Sequence, residues 1–372
     1  MPQDTSTLPQ WISAISQLLL LLFFIAIFAG ANQRLQIYLW SRDIKSKLGI
    51  LEGMVGEARR KTLQRMVSQG ARDPEKLLDR VMEFFVIMPV DIEPVDIIRR
   101  LEHLINVRER RLKSEFERAL PDANPVERSK IETAAEITSA LNFIYKLVRH
   151  LLIQGEKGRN WILIMQLQLI MPQLMKIADA YRRALNDFLK GVPIGDSAGP
   201  MVALRLAGPT AEWRRIEEET VYTEVEFEGR RLFLIKAEGP GSSVGKPGKA
   251  TETLVERLVK EGRKPKLIVT VDAALKLEGE ETGAVAEGVG AAIGDIGPEK
   301  IRFERIAAKY GIPLRAVIVK MGLEEAILAM SEKLVKGVEK AVEMVKDVIR
   351  RETKPGDTVV VVGIGNTVGV GQ

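Results

Sequence analysis

Residues Lys266–Ala273 read KLIVTVDA, and the reading of this stretch decides the fold. Leu267 to Val271 form an unbroken apolar and β-branched run, with Gly262 and Pro265 ahead of it. A run that short, bounded by such residues, predicts a strand buried on both faces. Strands of that kind belong to sheets covered by helices on both sides. Asp272 stands one residue past the run, at the carboxyl end of the strand. In open α/β sheets that edge faces the ligand crevice, so a carboxylate there is a site candidate.

Working outward, Val221–Phe227 alternates as a strand does, Gly229 turns the chain, and Arg231–Ala237 continues as a second strand. Thr251–Glu261 and Ile301–Tyr310 carry helical spacing, Leu314–Lys320 and Thr358–Val362 are further strands, and Leu323–Arg351 is one long helix or two. The expected class is α/β: a mainly parallel sheet with helices on both faces, spanning residues 191–372, where glycine becomes frequent. Residues 33–190 read as a helical bundle of four to six helices, including Glu75–Phe85, Val95–Leu120, Val126–Leu152 and Trp161–Leu189, with a kink at Pro172. The arginines of Val95–Leu120 are interleaved with Glu102, Glu109, Glu115 and Glu117, the pattern of a solvated helix laced with i,i+4 pairs.

At the other end of the chain, Trp11–Ala31 holds an uncharged apolar run long enough for an N-terminal transmembrane helix. No Lys or Arg precedes it, as a signal peptide would require. Arg34, Arg42, Lys45 and Lys47 follow it, opposed by Asp43 alone, which predicts an N-terminus outside and a cytoplasmic body from Gln33 to Gln372, a single-pass protein of the cell membrane. Residues 1–31 thus form an anchor segment. Trp161–Met175 is also apolar, but it is short for a span and contains Gln166, Gln168, Gln173 and Pro172, so a buried core helix is expected there.

Composition narrows the chemistry. The 372 residues contain no cysteine and two histidines, which removes thiolate catalysis and cysteine-bound metal centres and leaves Asp, Glu, Lys, backbone amides or a cofactor to act. A net charge of +5 over many residues of both signs is weak for nucleic acid and suits a body near an anionic lipid bilayer. The helical half fits a scaffold or a homo-oligomerisation module.

Four loops fall at the expected edge of the sheet. Gly195–Pro200 (GDSAGP) places Asp196 in a glycine-flanked turn, with Gly195 and Gly199 on either side. Gly239–Gly248 (GPGSSVGKPG) follows a strand and precedes a helix, so Gly241, Gly245 and Lys246 are candidates to meet an anion, although the spacing is not that of a phosphate-binding loop. The third loop begins at Asp272 and runs on through Glu280 to Glu287. The fourth, Gly363–Gly369 (GIGNTVG), brings Gly363, Gly365 and Asn366 after the last strand, without the spacing of a dinucleotide fingerprint. Asp196 and Asp272 are the candidate catalytic acids. With Glu280 and Glu287 they would form an oxygen-ligand set for a divalent cation. Amides of Gly195–Gly199 and Gly363–Gly369 would stabilise a developing oxyanion.

Over nearly its full length the chain resembles an archaeal membrane-anchored family of unknown function, in the blocks Gly195–Pro200, Val271–Glu280 and Val362–Gln372. Its C-terminal half is also similar to the hydrogenase-maturation endopeptidases and the spore germination protease in Gly363–Asn366 (GIGN), Gly195–Pro200 and Asp272-Ala273. That resemblance implies an acidic pair, Asp196 and Asp272, acting on a peptide bond with or without a metal. The order differs, since GIGN comes last here, which implies a permuted sheet. The alternative to a hydrolase is a non-catalytic module whose glycine loops hold a nucleotide or another anion, or a plain scaffold.

Overall fold

The computed structural model describes residues 17, 31–86, 94–294 and 297–372. The chain divides into two compact units, Met1–Gly56 with Leu141–Ala178, and Glu57–Ala140 with Asp179–Gln372. The described helices that lead are α1 (Ala31–Ser68), α2 (Pro74–Glu83), α3 (Pro94–Ala119), α4 (Pro125–Lys157) and α5 (Trp161–Lys190). α2, α3 and α4 begin on Pro, where the missing amide would have had no partner in any case.

In the first unit α1 and α5 run parallel. Trp161 Nε1 donates to Gln36 Oε1 at 2.6 Å, and Gln168 Nε2 to Asp43 Oδ2 at 2.7 Å, the same offset seven residues on. α4 runs the opposite way, with Lys45 paired to Glu156 at 2.7 Å. Ile44, Leu51, Leu141, Val148, Ile164 and Met171 close the interior.

The expected span at Trp11–Ala31 lies outside the described residues, save Gln17 and Ala31. Among the described residues the one helix long and apolar enough to cross a membrane is α5, in mid-chain and not at the N-terminus. The expectation of a buried core helix at Trp161–Met175 also needs correction: 22% of the most apolar stretch of α5 is buried. Pro172 lies inside α5 without ending it, on an exposed position.

The second unit has a helical core, in which Leu77, Leu78 and Val81 of α2 pack with Leu112 and Phe116 of α3 and Ile131 of α4. Beyond it follow α6 (Ala198–Ala207), β1 (Arg214–Glu217), β2 (Thr220–Phe227), β3 (Arg230–Ala237), α7 (Pro247–Lys260), β4 (Leu267–Leu275), β5 (Val285–Val289), α8 (Pro298–Tyr310), β6 (Leu314–Met321), α9 (Leu323–Ile327), α10 (Glu332–Glu352) and β7 (Thr358–Gly363). The seven strands make one sheet in the order β1-β2-β3-β7-β4-β6-β5.

The sheet is mixed, and the expectation of a mainly parallel one is overturned. β3, β7, β4 and β6 are parallel neighbours, while β1–β2, β2–β3 and β5–β6 pair antiparallel. The reason on one side is the two-residue link Glu228-Gly229, with φ of 48° and 74°. So short a turn of that hand joins only antiparallel strands. On the other side β5 closes the sheet against β6 by running back along it.

β7, last in the chain, lies at the centre between β3 and β4. Its alternating valines serve both faces. Val359 and Val361 pack with Val202 of α6 and Val338 and Val345 of α10, while Val360 and Val362 pack with Leu254 of α7 and Phe303 of α8.

Candidate active site

β4 does not end at Val271 as expected but runs on to Leu275, so Asp272 lies within the strand, opposite Ile318 of β6, and not at its carboxyl end. The end of β7 meets β4 just before it. Val271 pairs with Gly363 across the ladder, and the Ile364 amide then donates to Val271 O at 2.8 Å. The turn that starts α6 rests on this junction. A Cβ on Gly199 would overlap the carbonyl oxygens of Ile364 and Val271, one on Gly363 would overlap Gly199 O, and one on Gly365 would overlap Asp196 O. Gly365 also has φ of 130°, which a side chain would strain. These glycines are therefore fixed by close approach of three backbone segments.

That approach brings Asp196 and Asp272 together. Asp196 Oδ2 accepts the Asn366 amide at 2.8 Å. Asp272, 5% exposed, accepts the Ala273 amide on Oδ1 at 2.7 Å and the Gly294 amide as well. Burial pushes the Asp196 carboxyl above the ordinary range, with the Asn366 amide opposing. Burial pushes Asp272 further still, and the charge of Asp196 adds to it, against the two amides. Among the described residues neither acid has an ion pair. A buried carboxyl beside a second carboxylate favours its protonated form.

The other expected site residues are spent elsewhere. Glu280 pairs with Lys320 and accepts the Leu277 amide, and Glu287 pairs with Arg351 at 2.5 Å. Among the described residues no group of three or more His, Asp or Glu side chains stands ready for a metal ion, so the four-carboxylate set does not assemble. Most of the Gly363–Gly369 amides expected to cradle an oxyanion are already taken up. The amides of Ile364, Asn366, Thr367, Val368, Gly369 and Val370 are all bonded within the protein, to Val271, Asp196, Ser243, Asn366, Pro240 and Thr367. Gly195 N donates to Leu328 O at 3.1 Å.

The loop expected to hold an anion is occupied in the same way. Lys246 Nζ pairs with Glu109 at 2.5 Å. The Gly245 amide donates to Ser243 Oγ at 3.1 Å, and Gly241 packs beside Ser129. At the start of α7, Glu299 of α8 accepts the amides of Gly248 at 2.6 Å and Lys249 at 3.1 Å, filling the place a phosphate would take.

Two features were not anticipated from sequence. The first is a polar cleft of about 310 Å³ whose walls include Glu109, Lys113, Glu132, Glu136, Glu219 and Lys246. Burial, followed by the charge of Glu136, pushes Glu132 up to about 7 there. The second is Lys236 on β3, fully buried, its ammonium 4.8 Å from the centre of the Trp213 ring and donating to Ala237 O at 3.2 Å. Burial pushes Lys236 down to about 8. A lysine inside the apolar run Leu232–Ala237 was the available signal.

The chain belongs to the DUF1512 family. Residues 18–191 match the family described as "Protein of unknown function (DUF1512) N-terminal domain", and residues 194–371 match "Domain of unknown function (DUF1512) C-terminal". No curated protein matches the chain.

Proposed function

We propose that this member of the DUF1512 family is a hydrolase in which Asp196 and Asp272 share one proton and cleave a peptide-like bond. The observation that carries the reading is two carboxylates, drawn from distant parts of the chain, both raised by burial, with the charge of Asp196 raising Asp272 further and no basic partner to either among the described residues. The ionised member takes a proton from water as its oxygen adds to the carbonyl carbon. The protonated member gives its proton to the leaving amine. The likeness of Gly195–Pro200, Asp272-Ala273 and Gly363–Asn366 to the maturation and germination endopeptidases supports the bond class. The anion-binding alternative is less favoured, because Glu109 and Glu299 already hold the groups it would use.

The protein associates with a lipid bilayer, which the length and apolar character of α5 support. Its second unit works on the cytoplasmic side.

The test is to incubate the full chain with a mixture of proteome-derived peptides, with and without added divalent cations, and to read new termini by mass spectrometry. Cleavage by the native chain, lost in both Asp196→Asn and Asp272→Asn, is expected. No cleavage under either condition, or cleavage that survives Asp272→Asn, contradicts the proposal.

A further inference from the structure

The first unit carries the whole charge excess of the protein. Residues 1–56 and 141–178 contain nine Lys and Arg against four Asp and Glu, a surplus of five, which equals the net charge of the full chain. The second unit is neutral. Of the nine cations, Lys45 and Lys47 are paired with Glu156 and Asp43. Arg34, Arg42, Arg149, Lys157 and Arg159 are exposed and have no ion pair among the described residues.

The same helices expose large apolar side chains in stripes. Leu35 and Tyr38 on α1 are 57% and 64% exposed, Phe143 and Leu147 on α4 65% and 38%, and Ile162 and Leu169 on α5 56% and 71%. Each pair is three, four or seven residues apart and so lies on one side of its helix. Trp40 of α1 and Trp161 at the start of α5 meet with ring centres 6.0 Å apart and planes tilted by 36°, and tryptophan is an amphipathic residue type that favours a membrane interface.

We infer that this three-helix unit docks on an anionic lipid surface, with these apolar stripes entering the headgroup boundary and the five unpaired cations meeting lipid phosphates. The inference rests on the bilayer association proposed above, and names the surface that makes it. It does not depend on the hydrolase reading.

Three arguments select lipid. Apolar area gains about 25 cal/mol per Å² on leaving water, whereas a nucleic-acid backbone offers Leu, Ile and Phe nothing comparable. A second copy of this surface would set unpaired cations against one another across a self-complementary interface. The polar side of α5 is already bound to α1 through Gln36–Trp161 and Asp43–Gln168, which favours lying at the surface over crossing the bilayer alone.

The chain has no native cysteine, so one introduced thiol takes one label. Full-length Phe143→Cys, Leu169→Cys and, as a second-unit control, Leu275→Cys would each carry a polarity-sensitive fluorophore. Each would be mixed with phosphatidylcholine vesicles, with and without phosphatidylglycerol, and sedimented in parallel.

The expected result is a blue shift and several-fold brighter emission at 143 and 169, but not at 275, with the anionic vesicles. Arg149→Gln with Arg159→Gln should weaken that binding about thirtyfold, each cation near the surface being worth about 1 kcal/mol. Sedimentation with unchanged emission at 143 and 169 would overturn this surface while leaving bilayer association standing. No sedimentation would overturn both. A shift without vesicles that grows with protein concentration would assign the surface to a second copy, and one induced by RNA alone would assign it to nucleic acid. Either outcome overturns the inference.

Discussion

The two units dispose of their charge in opposite ways. In the second, Arg302 is held by Glu102 and Glu252, Lys320 by Glu280, and Arg350 by Glu228 and Asp347. In the first, five exposed cations have no such partner. The difference teaches where each unit does its work: the first keeps its charge for something outside the protein. The second pairs most of its charge on the surface, so the groups it leaves unpaired in the interior stand out. Among the described residues they include the acids Asp196 and Asp272 and the lysine Lys236.

The comparison can be broken or sharpened by substitution, most strongly where the second unit is tightest. Gly199→Ala forces a methyl group into the carbonyl oxygens of Ile364 and Val271 and should cost about 3 kcal/mol or more, read as a fall in the urea midpoint. A neutral result would mean that the junction beneath the acid pair is loose.

Lys236→Met should stabilise the protein by about 2 kcal/mol at neutral pH, because burial has already pushed that ammonium down to about 8. The unfolded chain binds the proton more tightly, so native stability rises with pH from about 8 to about 10.4, and the advantage of Met shrinks over that window.

Asp272→Asn should also stabilise the fold at neutral pH while abolishing cleavage. A carboxyl raised in the folded state adds stability below its unfolded pKa and loses it as pH rises through the folded one. The gain from Asn should therefore fade on acidification.

Glu299→Ala removes the cap on α7 and should cost about 1 kcal/mol in thermal unfolding. At the small end, Arg149→Gln in the first unit should change stability by less than about 0.5 kcal/mol, since no partner is lost, and its effect should appear in vesicle binding alone.

Sequence carried the central strands well. Lys266–Val271 and Thr358–Val362 are continuous apolar runs, and only a strand buried on both faces needs that composition. It carried the edges poorly. β1 (RRIE) and β5 (VAEGV) are short, polar or glycine-bearing, and are strands because a neighbour offers a ladder, which no local pattern records. The link Glu228-Gly229 did signal an antiparallel pair, and a mainly parallel sheet was the wrong sum over the strands.

At the site, Asp272 was visible because a carboxylate after an apolar run has few structural uses, although the strand continues past it to Leu275, and Asp196 because it stands in a glycine-flanked turn. The glycines misled. Gly199, Gly363 and Gly365 are required by backbone packed against backbone, and the same residue type at the same density would serve a ligand cradle. Lys246 and the start of α7 were credible anion sites until Glu109 and Glu299, residues 137 and 51 positions from Lys246 and Gly248, were seen to fill them.

The most direct measurement is titration of the aspartate side-chain carboxyls by carbon-13 NMR in the full chain and in Asp196→Asn. The account predicts that Asp272 titrates well above the ordinary aspartate range and moves back toward it when Asp196 loses its charge. Two acids titrating independently near about 3.9 in the native chain would contradict it.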